Sequence, residues 1–171
     1  ITPFNFPAMI PLWMFPLALA AGNSFILKPS EKDPLATIFI TKLFNETRAP
    51  KGLLNLINGQ KDQVEKRLED KRISAVSFVG STEVARQIYT NSTKNGKRCQ
   101  ALGGAKNHAL VLSDAKISQA TDQLISAAFG SSGQRCMALS VVMVEKKIKK
   151  LFLDDLITKV NNLKVGFQKL E

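Results

Sequence analysis

Short apolar runs alternate with helix-like segments along most of this chain, and this alternation constrains the fold more than any other feature. Strand-like runs occupy residues 25–27, 53–57, 75–79 and 98–102, and helical patterns separate them over 34–47, 63–68 and 82–92. Strands that alternate with helices at this spacing indicate βαβ units. We therefore predict the α/β class, with a parallel sheet that carries helices on both faces.

A second α/β unit is predicted to begin at Gly103-Gly104, which has the composition of a hinge. Strand-like runs at 109–112 and 141–144 flank a helical pattern over 117–129, and an amphipathic helix is expected over 148–163. The predicted domains are therefore 1–102 and 103–171.

Composition argues against several classes of protein. The 171 residues carry a net charge of +10, but the lysines are scattered, and a nucleic-acid-binding protein concentrates its charge on one face. Residues 1–27 contain no charged side chain, yet four prolines and two asparagines interrupt them, so we expect a buried loop and helix and no membrane segment.

Cys99 and Cys136 have no companion Cys or His cluster, so no metal site is expected, and a reducing compartment fits better than a disulfide scaffold.

The segment FGSSGQRCMALS, residues 129–140, contains the residue that is most able to act as a nucleophile, Cys136. Cys136 follows a small polar run after a helical pattern and precedes an apolar strand, so we expect it on a tight helix-to-strand connection. A thiolate there could act as a nucleophile, with the adjacent Arg135 as the cation. The alternative is that Cys136 is a small buried hydrophobic residue, and that Arg135 forms an ordinary ion pair.

Several polar and glycine residues follow the predicted strands, where ligands bind to open α/β sheets. Gly80 would let a backbone approach a phosphate, and the helix that begins at Ser81 offers unpaired N–H groups. Lys28 and Glu31 could hydrogen-bond ribose hydroxyls. The G-x-G-x-x-G fingerprint is absent, and Gly80 could equally be a plain turn and Lys28 a solvated lysine.

Five segments in order resemble the motifs of the aldehyde dehydrogenase superfamily: TPFNFP, LKPSE, FVGSTEVA, ALGGAKNH and FGSSGQRCMALS. The resemblance implies a Rossmann-like NAD-binding domain over 1–102 and the start of a catalytic domain over 103–171. It also implies six positions that bind the cofactor, which are Lys28, Glu31, Gly59, Phe78, Gly80 and Ser81. An acidic side chain at Glu31 favours NAD over NADP, whereas Ala85 replaces a glycine of many relatives.

The same resemblance implies a mechanism. Cys136 matches the catalytic nucleophile, and the amide of Asn5 matches the donor to the oxyanion. Most family members have glutamate before L-G-G as the base for hydrolysis, and this chain has Ala101 there. We therefore expect the acylating branch, which oxidises methylmalonate or malonate semialdehyde, loses CO2 and transfers the acyl group to coenzyme A. Arg135 would bind the substrate carboxylate.

Other interpretations stay open. The chain could be an inactive piece that only binds nucleotide, a hydrolytic aldehyde dehydrogenase or, remotely, a basic nucleic-acid-binding module. The first residue is not Met and lies within a motif, so we expect a piece of a longer protein, which the resemblance implies is a homo-oligomer. We expect a cytoplasmic location, with the mitochondrial matrix as the alternative. His108 is expected to have a structural role.

Overall fold

Parallel strand pairing organises the structure, a computed structural model that describes residues 1–166. The chain divides into two units, Ile1–Gly104 and Ala105–Glu171. This division lies two residues beyond the predicted boundary at 102, at the second residue of the Gly103-Gly104 pair. Residues 167–171 of the predicted second domain lie outside the described residues, and the function of each domain stays a prediction.

The first unit alternates helices and strands as expected from its sequence. Its elements are α1 (Met9–Ala20), β1 (Phe25–Leu27), α2 (Leu35–Asn45), β2 (Leu54–Leu56), α3 (Lys61–Glu69), β3 (Ala75–Val79), α4 (Thr82–Lys94) and β4 (Arg98–Leu102). β1 pairs in parallel with β2, and β3 pairs in parallel with β4. β3 and β4 have the predicted bounds, because turn-forming residues flank both apolar runs.

The first two residues of the chain join these two strand pairs. The backbone nitrogen of Ile1 donates to the Ser77 carbonyl at 2.8 Å, and the Val79 N–H donates to the Ile1 carbonyl at 3.2 Å. This is the pattern of a parallel pair. On the other side, the Thr2 N–H donates to the Lys28 carbonyl at 3.0 Å. The order across the first unit is therefore β2, β1, residues 1–2, β3 and β4.

Helices cover both faces of this arrangement. α1 and α2 pack around Leu27 of β1 in one buried cluster, and α3 and α4 pack around Phe78 of β3 in another, together with Ile1. Because successive residues of an extended segment point to opposite faces, Ile1 lies on the face of Phe78 and Thr2 on the face of Leu27. The predicted α/β class, with a parallel sheet and helices on both faces, is confirmed.

The second unit is built on one more parallel pair. Its elements are β5 (Asn107–Val111), α5 (Ile117–Phe129), a 3-10 segment (Gly130–Gly133), β6 (Leu139–Val144), a 3-10 turn (Lys146–Ile148) and α6 (Lys149–Asn161). Val111, Leu124 and Phe152 form its buried core. β5 and β6 each begin two residues before the predicted start, because the polar residues Asn107, His108 and Ser140 interrupt the apolar pattern there. The pairing register shifts by one residue between Asn107 and His108.

Within residues 1–166, no helix is long and apolar enough to cross a membrane. The uncharged opening segment forms α1, which has 12 residues and contains Pro16. Ile10 and Phe15 of this helix are buried in the first unit.

Candidate functional site

The carboxyl ends of the strands in the first unit gather at one edge. Lys28 follows β1 directly, Gly59 follows β2, and Gly80 follows β3. β1 and β2 are parallel, and residues 1–2 hydrogen-bond both to Lys28 and to the end of β3. Three of the sequence-predicted cofactor segments therefore lie along the edge where open α/β sheets bind ligands.

Lys28 and Glu31 form an ion pair at this edge. Lys28 Nζ lies 3.4 Å from Glu31 Oε2, and the two side chains are 12% and 48% exposed. The pKa of the Glu31 carboxyl lies below its usual value, because the backbone N–H of Glu31 donates to it and, to a lesser extent, because Lys28 does. Glu31 is thus an ionised acceptor beside a cationic donor, an arrangement that suits a pair of neighbouring hydroxyl groups.

The turn after β3 has no room for a side chain. A Cβ on Gly80 would lie 2.5 Å from Cζ of Phe78, and the Gly80 N–H donates to the Leu102 carbonyl at 3.1 Å. Phe78 itself is buried and 5% exposed. Its ring therefore supports the turn from below, so any effect of Phe78 on a ligand is indirect.

Ser81 precedes α4 in an extended conformation and makes no side-chain hydrogen bond to the helix. Because the first N–H groups of a helix have no intrahelical acceptor, they can donate to an anion. Glu83 lies in the first turn of α4 and opposes that attraction in part. Thr82 is engaged elsewhere, since its Oγ1 accepts the N–H of Gly104 at 2.9 Å.

Gly59 occupies a conformation that favours glycine, with φ of +142°. A Cβ there would also lie 2.3 Å from Cγ of Gln63. The glycine lets the chain turn from β2 into α3 and leaves its backbone uncovered on one side.

Ala101 lies in β4, at the position where the family resemblance leads us to expect a glutamate that acts as the base. It is half-buried and packs with Cys99 against the cluster around Phe78. It also lines a groove of about 410 Å³ that includes Arg86, Tyr89 and Gly103. None of the described residues that line this groove carries a carboxylate.

Asn5 is half-buried on the bend between residues 1–2 and α1. It belongs to the first unit, whereas Cys136 belongs to the second. The joint action of these two residues on an oxyanion therefore stays a prediction.

Cys136 lies on the connection between α5 and β6, as predicted, and is half-buried. The connection contains three consecutive left-handed residues: Ser131, Ser132 and Gly133 have φ values of 53°, 54° and 71°. Left-handed backbone is unfavourable for residues with a side chain, and it is found at functional sites where surrounding contacts hold it. Among residues 1–166, no acceptor is found for the backbone N–H of Cys136.

Arg135 folds back over the end of α5. Its Nη1 donates to the Ser126 carbonyl at 3.3 Å, and a Cβ on Gly130 would lie 2.9 Å from the same nitrogen. A cation at a helix C-terminus is favourable. The ion pair considered for Arg135 is not found within the part of the chain that the structure describes, so its remaining guanidinium nitrogens can bind an anion.

Sequence reasoning gave no role to Asn107, which binds the backbone on both sides of Met137. Its Nδ2 donates to the Cys136 carbonyl at 2.9 Å and to the Ala138 carbonyl at 3.0 Å. The only signal was its position inside the AKNH motif. Its neighbour His108 is exposed, and its Nδ1 lies 2.7 Å from the Lys106 carbonyl, a local structural contact.

Cys99 and Cys136 are both unpaired. Among residues 1–166, no group of three or more His, Cys, Asp or Glu side chains could hold a metal ion.

Comparison with known proteins assigns the family. A profile of the aldehyde dehydrogenase family matches residues 1–171. Malonate-semialdehyde dehydrogenases from Pseudomonas aeruginosa and Bacillus cytotoxicus are 53% and 56% identical to this chain, over 97% of its length. The chain spans about a third of these relatives, 34% of each. This chain belongs to the aldehyde dehydrogenase family.

Solved structures agree with this assignment. A methylmalonate-semialdehyde dehydrogenase from Oceanimonas doudoroffii matches with a TM-score of 0.93 and 53% identity, over 96% of this chain and 34% of that one. A structure from Sinorhizobium meliloti 1021, complexed with NAD, matches with a TM-score of 0.93 and 49% identity over the same shares. The fold of the matched third is therefore that of aldehyde dehydrogenases.

The left-handed turn before Cys136 yields a stability prediction. Ser132→Gly removes the steric cost of a side chain at φ 54° and should raise the free energy of unfolding by about 0.5–1 kcal/mol. Ser126→Gly is the matched control, because the same substitution in the ordinary helical backbone of α5 should lower it by up to about 1 kcal/mol. Urea unfolding curves measure both, and a loss of stability in both variants would contradict the account of the turn.

Proposed function

We propose that the protein containing this chain is an NAD-dependent semialdehyde dehydrogenase that acylates coenzyme A. Its substrate is malonate or methylmalonate semialdehyde, and its products are CO2 with acetyl-CoA or propionyl-CoA. One observation carries the proposal: Cys136 lies on a turn where its N–H finds no acceptor among residues 1–166, and Ala101 occupies the position where the family's base is expected. The names of the relatives support the choice of substrate.

The edge of the first unit fits NAD. Lys28 and Glu31 would hydrogen-bond ribose hydroxyls, and the ionised Glu31 would repel the 2′-phosphate of NADP. The N–H groups that follow Ser81 would donate to the pyrophosphate. Gly59 and Gly80, which lack side chains, would let it approach the backbone, with Phe78 beneath the turn. When bound, NAD supplies the hydride acceptor. The relative that is complexed with NAD supports this assignment.

Cys136 would act as the nucleophile. Its thiolate adds to the aldehyde carbon, and the oxygen that becomes negative accepts hydrogen bonds from the Cys136 N–H and the Asn5 amide. One such donor typically lowers the barrier by about 2.7–4 kcal/mol. Loss of hydride from the adduct leaves a thioester on Cys136.

Two further steps release the product. The substrate carboxylate leaves as CO2, and the electron pair of the broken C–C bond passes to the carbon next to the thioester, which takes up a proton. The thiolate of coenzyme A then attacks the thioester carbonyl and expels the Cys136 thiolate. Ala101 cannot activate water, and the amide of the adjacent Gln100 cannot accept a proton, so hydrolysis does not compete with this transfer.

We also propose that the protein is a homo-oligomer and is cytoplasmic. Large apolar side chains on α1 and α2, such as Leu17 and Phe39, are exposed in this chain and support further burial, against the rest of the protein or against a second copy. The relatives compared above are bacterial, which supports the cytoplasm over the mitochondrial matrix.

The dependence on coenzyme A tests the proposed function. In the complete gene product, NADH formation beyond the first turnover should require coenzyme A. Ala101→Glu should raise turnover without coenzyme A by about 100-fold, because a carboxylate can activate water for hydrolysis. Ala101→Gln is the control, since it has a similar size and cannot accept a proton. Equal rates for the two variants, or rapid turnover of the unchanged protein without coenzyme A, would contradict the acyl-transfer assignment.

Arg135 is tested by substrate selectivity. Arg135→Gln should lower kcat/KM for malonate semialdehyde by about 10- to 100-fold, the value of a hydrogen bond to a charged group, and should change kcat/KM for propanal little. Arg135→Lys keeps a cation at the end of α5 and controls for the contact with Ser126. Steady-state assays with both aldehydes measure the effect. Equal losses for the two aldehydes would restrict Arg135 to capping α5.

A further inference from the structure

We propose that Asn107 is a positioning residue for Cys136, an inference that rests on the proposed role of Cys136 as the nucleophile. Asn107 begins β5, and the Cys136 turn comes just before β6. Since β5 has no earlier residue to pair with the turn, the Asn107 side chain takes the place of backbone pairing there.

The two hydrogen bonds of Asn107 fix one side of the turn. Its single amide nitrogen donates at 2.9 Å to the carbonyl of Cys136 and at 3.0 Å to the carbonyl of Ala138. The turn is closed by a third bond, from the Ala138 N–H to the Arg135 carbonyl at 3.1 Å. Both protons of the amide are used, so one planar group determines the direction of two carbonyls that are two residues apart.

The shift in register at the same residue strengthens this interpretation. Asn107 pairs with Leu139, whereas His108 pairs with Val141, so Ser140 is bypassed. Such irregularities redirect the chain next to active sites. Without the amide, the carbonyls of Cys136 and Ala138 would lose this shared donor, and the bond from the Ala138 N–H to the Arg135 carbonyl would remain.

The contact with Asn107 fixes the orientation of the Cys136 backbone. The Cys136 carbonyl is held by Asn107, while the Cys136 N–H has no acceptor within residues 1–166. Cys136 is thus held through its carbonyl, and the N–H of Cys136 is left to donate to the substrate oxygen. Asn107 acts through Cys136 and needs no contact with the substrate.

The test compares two variants of the complete gene product. Asn107→Asp has nearly the same shape, but its carboxylate cannot donate to a carbonyl. We expect the rate of the first NADH burst to fall about 100-fold, the effect of misplacing a reacting group by about 1 Å, while KM for NAD stays unchanged. Val144→Ala is the control, because it removes packing at the far end of β6 and leaves the turn intact. Asn107→Ser, which keeps one donor, should lie between Asn107→Asp and the unchanged protein.

Hydrogen exchange of the complete gene product separates this inference from the proposed function. The amide of Ala138 should exchange about tenfold faster in Asn107→Asp than in Val144→Ala, when both are compared with the unchanged chain. If the unchanged protein is inactive but Ala138 still exchanges faster in Asn107→Asp, the dehydrogenase assignment is contradicted, and the positioning of the turn by Asn107 is supported. Equal burst rates, or equal exchange at Ala138, in Asn107→Asp and Val144→Ala would overturn the positioning role.

Discussion

The hydrogen bonds of the first two residues determine how the first unit can bind a ligand. Ile1 pairs with β3, and Thr2 donates to the carbonyl of Lys28, so two separate parallel pairs share one carboxyl edge. Parallel strands all end on the same side, and their connecting helices cover the faces. Backbone geometry alone therefore brings Lys28, Gly59 and Gly80 to one edge, and the Lys28–Glu31 pair adds side-chain chemistry there.

The turn of the second unit depends on the opposite kind of interaction. Ser131 and Ser132 hold an unfavourable backbone conformation, and side chains compensate on both sides of it. Arg135 ties the turn to the end of α5, and Asn107 ties it to the start of β5. In the proposed mechanism, Cys136 is thereby oriented before substrate arrives, which is how enzymes lower the entropic part of a barrier.

Patterns that depend on local chain physics were predictable, and contacts between distant residues were not. The bounds of β3 and β4 follow from apolar runs between turn residues. The contact of Lys28 with Glu31 lies in a loop and was not predicted. Serine has no preference for left-handed backbone, so the turn at Ser131 left no trace in the sequence. The hydrogen bond from Asn107 to the Cys136 carbonyl joins residues that are 29 apart in the sequence, and no periodic pattern of residues predicts such a contact.

The central claim is that the sulfur of Cys136 carries the acyl group. The most direct measurement is mass spectrometry of the complete gene product after acid quenching, following incubation with malonate or methylmalonate semialdehyde and NAD without coenzyme A. The account predicts an acetyl or propionyl group on the peptide that contains Cys136, and its disappearance when coenzyme A is added. NADH formed in a burst with an unmodified Cys136, or an acyl group on Cys99 instead, would contradict it.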